Sequence, residues 1–80
     1  MNTIVTGSDK KLVTFYASYM DILGLEIESY HNVSTGVKHA CMNKEVSNLI
    51  LVLNTKEDYL EYSKLRVYLD EASKNIIIVY

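Results

Sequence analysis

The chain is poor in the residues that build small chemical centres. Cys41 is its single cysteine, which rules out an internal disulfide and a thiolate zinc knuckle and makes a reducing compartment, the cytoplasm, the expected location. Arg66 is the single arginine, the lysines are scattered from Lys10 to Lys74, and the net charge is -2. A reader of duplex nucleic acid concentrates positive charge on one face, and no such face is visible here. No apolar run approaches the roughly 18 to 20 residues that span a bilayer, and no basic segment followed by an apolar stretch opens the chain, so membrane insertion and secretion are not expected. The three glycines stand far apart, at Gly7, Gly24 and Gly36, and form neither a P-loop nor a dinucleotide-binding fingerprint. No internal repeat, low-complexity tract or complete catalytic set is present. The bias of lysine over arginine, with abundant Ile, Asn and Tyr, is that of an AT-rich coding sequence, as in a low-GC bacterium or its phage.

What is present is globular. The 80 residues are 49% apolar and 22% charged, which is ordinary for a folded protein and unlike a disordered one. A chain of this length is expected to form one domain, residues 1–80, burying about 60 to 65% of the surface its unfolded form exposes. Four strand-like runs, Thr3 to Thr6, Leu25 to Tyr30, Leu49 to Leu53 and Ile76 to Tyr80, alternate with segments that can be helical. The pattern predicts a miniature α/β domain of three layers, Rossmann-like or flavodoxin-like, with a four-stranded parallel sheet. Right-handed crossovers give the strand order 2-1-3-4, with the first helix on one face and the others opposite.

In the first helix Leu12, Val13, Phe15, Tyr16, Tyr19, Met20, Ile22 and Leu23 share one half of the helical wheel, and that half is the expected core face. Ser8 suits the N-cap, Asp9 the positive end of the helix dipole, and Gly24 a left-handed residue just past the end. Leu25-Glu26-Ile27-Glu28 alternates as an edge strand with one face in water. Asn32 to Gly36 reads as a loop of turn formers, followed by a weak helix over Val37 to Val46. Leu49 to Leu53 does not alternate, as in a central strand covered on both faces. Thr55 followed by Asp58 nearly matches a capping box, so the last helix begins at about Lys56. Its core stripe is Tyr62, Leu65, Tyr68, Leu69 and Ala72, while Leu60 and Val67 lie about 200° from Leu65 on its back.

The carboxyl edge of such a sheet is where a ligand would sit. Gly7, Ser8 and Asp9 lie between the first strand and its helix, where outward N–H groups and the dipole favour an anion. Ser34, Thr35 and Gly36 and, after the third strand, Asn54 would complete that edge. A plain turn with a cap explains the same residues. His31, His39 and Cys41 do not make a metal set, because His39 and Cys41 are two apart and on a helix point about 200° apart. No metal or cofactor is expected, and Cys41 reads as a structural thiol.

Ile4-Val5-Thr6-Gly7-Ser8, the later Gly24-Leu25-Glu26-Ile27, and the segment from Val46 to Leu53 resemble the opening and a middle strand of SLOG-type and nucleoside deoxyribosyltransferase-like Rossmannoid domains. The resemblance implies a nucleotide-derived ligand at the strand ends, touched by Gly7 and Ser8. The chain departs from that pattern in having no second glycine-rich loop and no glycine-threonine stretch leading to a catalytic glutamate.

The second expectation is an interface. The final strand cannot point Ile76, Ile77, Ile78 and Val79 into one core, and as an edge it offers free N–H and C=O groups. With Tyr59, Leu60, Val67 and Tyr80 beside it, the strand and the outer side of the last helix suit a partner protein or a second copy of the chain. The leading reading is a non-catalytic protein that binds another protein as inhibitor, adaptor or regulatory subunit. The alternative is a domain that senses or sequesters an anionic nucleotide-like molecule.

Overall fold

A computed structural model describes residues 2–80. Strand β1 (Asn2–Gly7), helix α1 (Lys10–Ile22), strand β2 (Glu26–Tyr30), helix α2 (Val33–Met42), strand β3 (Val46–Val52), helix α3 (Lys56–Ala72) and strand β4 (Asn75–Val79) follow in strict alternation. The strands form one parallel sheet in the order β2-β1-β3-β4, the doubly wound Rossmann-like topology expected from the run of elements. Val5 of β1 lies between Ser29 of β2 and Ile50 of β3, and Ile50 is in turn beside Ile77 of β4.

Two clusters of buried side chains divide the core by strand parity. Ile4, Leu49, Leu51 and Leu53 meet Val33, Val37, Ala40 and Leu69 on the face covered by α2 and α3. Val5, Ile50 and Val52 meet Val13 on the face covered by α1 alone. Central β3 is buried from Leu49 to its end at Val52, with Leu53 just beyond it buried too, as a run without alternation requires. In edge strand β2, Ile27 packs toward α1 while Glu26 and Glu28 are exposed on the other face.

Helix ends follow side-chain chemistry, with two shifts from the sequence expectation. Asp9, not Ser8, caps α1: its carboxylate accepts from Leu12 N–H at 3.1 Å, which frees the Ser8 hydroxyl for another partner. Helix α2 begins at Val33 rather than Val37 and ends at Met42, so Asn32 to Gly36 is not a loop. Asn32 Oδ1 accepts from Thr35 N–H and caps the helix, and Val46 belongs to β3. Thr55 caps α3 as expected, its hydroxyl accepting from Asp58 N–H at 3.1 Å. Gly24, at φ 84°, takes the left-handed conformation that glycine alone adopts without strain.

Burial departs from the wheel in both long helices. In α1 the sheet buries Val13 and half-buries Leu12, Tyr16, Ala17 and Met20, leaving Phe15 63%, Tyr19 53%, Ile22 81% and Leu23 58% exposed. In α3, Tyr68 is turned out of the expected core stripe, while Leu69 is buried and Tyr62 and Leu65 pack against it from the rim. A half-circle of apolar residues is wider than one sheet contact can cover, so the docking angle of the helix selects which part is buried.

Candidate functional site

The carboxyl edge of the sheet collects the ends of β1 and β3 and the starts of the three helices. Asp58, in the first turn of α3, is 3% exposed. Its Oδ2 accepts from the Ser8 hydroxyl at 2.9 Å and from Asn54 N–H at 3.3 Å. Asn54 Nδ2 donates to Asp9 Oδ2 at 3.2 Å, so Ser8, Asp9, Asn54 and Asp58 form one network stitching the β1–α1 turn to the β3–α3 turn. Sequence pattern marks Asp58 only as a capping-box residue; its burial depends on Ser8, 50 residues away.

That network decides what the edge can hold. A helix N-terminus attracts an anion through its unpaired N–H groups. Here a carboxylate of the chain already stands at each one: Asp9 at α1, Glu57 and Asp58 at α3, and Glu61, whose Oε2 accepts from Ser34 N–H at 3.3 Å, at α2. Another anion at these ends would meet like charge.

The two glycines of this edge are explained by packing. A Cβ on Gly7 would stand 2.6 Å from the Val52 carbonyl oxygen, because β1 and β3 approach closely there. A Cβ on Gly36 would stand 2.3 Å from Thr6 Cβ, because α2 crosses β1 at the point where Thr6 Oγ1 donates to the Asn32 carbonyl at 2.7 Å. Ser34 is half-buried and Thr35 exposed in the first turn of α2. Of the ligand-edge residues, the structure therefore joins Ser8, Asp9 and Asn54 in one network, buries Gly7 and Gly36 in packing, and keeps Ser34 and Thr35 on α2.

The surface grooves run along the helices, and one on the outer side of α2 takes in Thr35 together with Lys38, His39 and Lys44. One of about 560 Å³ follows the outer side of α1 past Thr14, Phe15, Ser18 and Ile22, and another of about 380 Å³ runs between α2 and α3 past Val37, Cys41, Leu65 and Tyr68. Cys41 Sγ lies 3.9 Å from the Tyr68 carbonyl oxygen. Burial pushes its thiol above the ordinary value, with the Lys74 ammonium pulling weakly the other way. His39 is turned to Tyr30 instead, ring on ring at 4.6 Å.

The expected interface residues lie on and just after β4, the lateral edge of the sheet, and on α3. Tyr59 and Tyr80 stack with ring centroids 5.8 Å apart, and Tyr80 is 81% exposed. The Tyr59 hydroxyl is shifted above the usual tyrosine value by desolvation and by the neighbouring Tyr80. Leu60 and Val67 are exposed along the back of α3. Ile76 and Ile78 are half-buried against the α2–α3 core, so their side chains serve the core and their backbone serves the edge. Val79 O accepts from Leu53 N–H at 2.8 Å. In a parallel ladder this turns the N–H and C=O groups of Asn75, Ile77 and Val79 toward β3 and those of Ile76 and Ile78 outward. Ile77 points to the α1 face, where it is 53% exposed.

Comparison with protein-family models, with curated proteins and with solved structures finds no match for this chain. No described helix is long and apolar enough to cross a membrane.

Proposed function

We propose that this is a small cytoplasmic protein without chemistry of its own that acts by binding another protein, as an inhibitor, adaptor or regulatory subunit. The observation that carries the reading is β4: its outward backbone groups at Ile76 and Ile78 have no neighbouring strand among the described residues, and the Tyr59–Tyr80 pair stands beside them. An extended segment of a partner added there would gain main-chain hydrogen bonds, with the exposed tyrosines and Leu60 as side-chain contacts. The alternative, a nucleotide-binding domain of the SLOG or deoxyribosyltransferase-like type, is the weaker reading, because the helix N-termini that would receive the anion carry Asp9, Glu61, Glu57 and Asp58.

Affinity capture from the native host with three baits tests it. The baits are the wild-type chain, a β4 variant carrying Ile78→Pro and Tyr80→Asp, and an α3 variant carrying Leu60→Glu and Val67→Lys. A partner retained by the wild type is expected to be lost by the β4 variant and weakened by the α3 variant. A partner retained equally by all three would overturn the proposed surface, and a nucleotide co-purifying without any protein would favour the alternative.

A further inference from the structure

A second surface, on the other face of the sheet, has a shape that one particular partner fits. Doubly wound sheets carry helices over both faces, because a parallel sheet buries both. Here α1 is alone on its face and lies over β1 and β2. Among the described residues no helix lies over β4 on this face, and Ile77 is 53% exposed with Val79 half-buried beside it.

The helix next to this bare strip has an apolar arc wider than its contact with the sheet, reaching from the buried side round to the outer one. Around the axis of α1, the arc of Val13, Ala17 and Met20 continues in one direction through Tyr16, Leu23, Leu12 and Tyr19 to Phe15 and Ile22. In the other direction lie Asp21, Thr14 and Ser18. Ala17, Ser18 and Asp21 line a depression together with Ile27 and Ser29 of β2, so the polar flank faces β2. The apolar flank therefore faces the uncovered strip over β4. Along it Leu12, Tyr16, Tyr19 and Leu23 recur at spacings of four, three and four, the seam spacing of paired helices.

We infer that a second copy of this chain supplies the missing helix: α1 of the copy lies in the bare strip beside α1, parallel to it, and the two sheets face each other across one shared helical layer. The chain contains both halves of the fit. A twofold axis running along the helices sets the Leu12-Tyr16-Tyr19-Leu23 seams against each other. The same axis lays the outer residues Phe15 and Ile22 of each copy over Ile77 of the other, so one operation covers every large apolar group that the α1 face leaves in water. The area is adequate. The exposed parts of Phe15 and Tyr19 alone come to roughly 200 Å², and Ile22, Leu23, Ile77 and the seam bring each side toward the about 800 Å² of a stable interface. Lys10, Lys11 and Asp21 stay at the rim, where charge costs little to keep hydrated. This interface is separate from the β4 edge and the back of α3, which remain free for the partner protein.

Light scattering and sedimentation on the full chain, at concentrations up to about 1 mM, test the arrangement. The wild type is expected at twice the 9.2 kDa of one chain. Phe15→Glu with Ile22→Glu, and separately Ile77→Lys, should each reduce it to monomer with unchanged circular dichroism, since these side chains are exposed in the single chain. The Leu60→Glu, Val67→Lys variant should remain a dimer. In a Cys41→Ser background, Leu23→Cys should form an intermolecular disulfide across the axis on mild oxidation, and Asp21→Cys, on the opposite flank, should not. A wild type that stays monomeric overturns the inference. So does a dimer that survives both α1-face variants, or one cross-linked equally through residues 21 and 23.

Discussion

Gly36 shows how a single position can have a meaning that its residue type conceals. In sequence it sits among Ser34 and Thr35 and reads as part of a hydroxyl-rich turn; in the fold it is the point where α2 rests on Thr6. Two effects oppose each other in Gly36→Ala. Alanine should stabilise a helix interior by about 1 kcal/mol, but its methyl group would stand 2.3 Å from Thr6 Cβ, which is not a flexible tip that can move aside. Overpacking of this kind costs about 1 to 3 kcal/mol, so the substitution should lower the denaturation midpoint. A raised midpoint would show that α2 can lift off β1 freely. Cys41 carries a second prediction at this scale. Burial raises its thiol, so the thiolate is scarcer at a given pH than in a free cysteine. Alkylation by iodoacetamide at neutral pH should be slower than for an unstructured cysteine peptide, and should accelerate as pH rises beyond the ordinary thiol value or when the chain is unfolded. Because the folded-state value is raised, whatever the thiol form adds to stability is present below the unfolded value and lost as pH climbs through the folded one. Alkylation at neutral pH as fast as in the peptide would contradict the burial.

Among the elements, β4 is the most exposed to test. Its alternating backbone should give an alternating hydrogen-exchange pattern: slow amides at Ile77 and Val79, which face β3, and fast amides at Ile76 and Ile78, which face outward. A partner strand added at this edge should slow Ile76 and Ile78 and leave the other two unchanged. Uniform protection in the free protein would mean that the edge is already covered. The α1 cap is a smaller lesson at the same level. Ser8 and Asp9 are both good capping residues, and choosing between them is not a local matter: buried Asp58 takes the Ser8 hydroxyl, and Asp9 is left to meet Leu12 N–H.

At the scale of the whole molecule, the helices cover one face of the sheet except beside Glu26 and Glu28 of β2, and only part of the other. An 80-residue chain has little core in reserve. Covering a strip of Ile and Val and the outer apolar side of α1 by association is a route to stability open to a small domain. The carboxyl edge, by contrast, is complete within the chain. Its carboxylates sit where the helix dipoles favour them and join the β1–α1 turn to the β3–α3 turn.

The order of elements, the parallel sheet, its strand order, the centrality of β3 and the position of β2 at an edge were all legible in the sequence. They rest on periodicity, capping chemistry and crossover handedness, which act over a few residues or through connections too short to offer a choice. The start of α2 was missed by four residues, because Asn32 as a cap and Gly36 as a contact residue look like turn formers until β1 is placed beneath them. The exposure of Phe15, Tyr19, Ile22 and Tyr68, the burial of Asp58, and the joining of Ser8 to α3 were decided only by tertiary structure. A hydrophobic arc tells that a helix has an apolar side, but where the helix lands on the sheet determines which degrees of that arc meet side chains and which meet water. Likewise a carboxylate 50 residues from its hydroxyl partner has no signature until two turns are brought to the same edge.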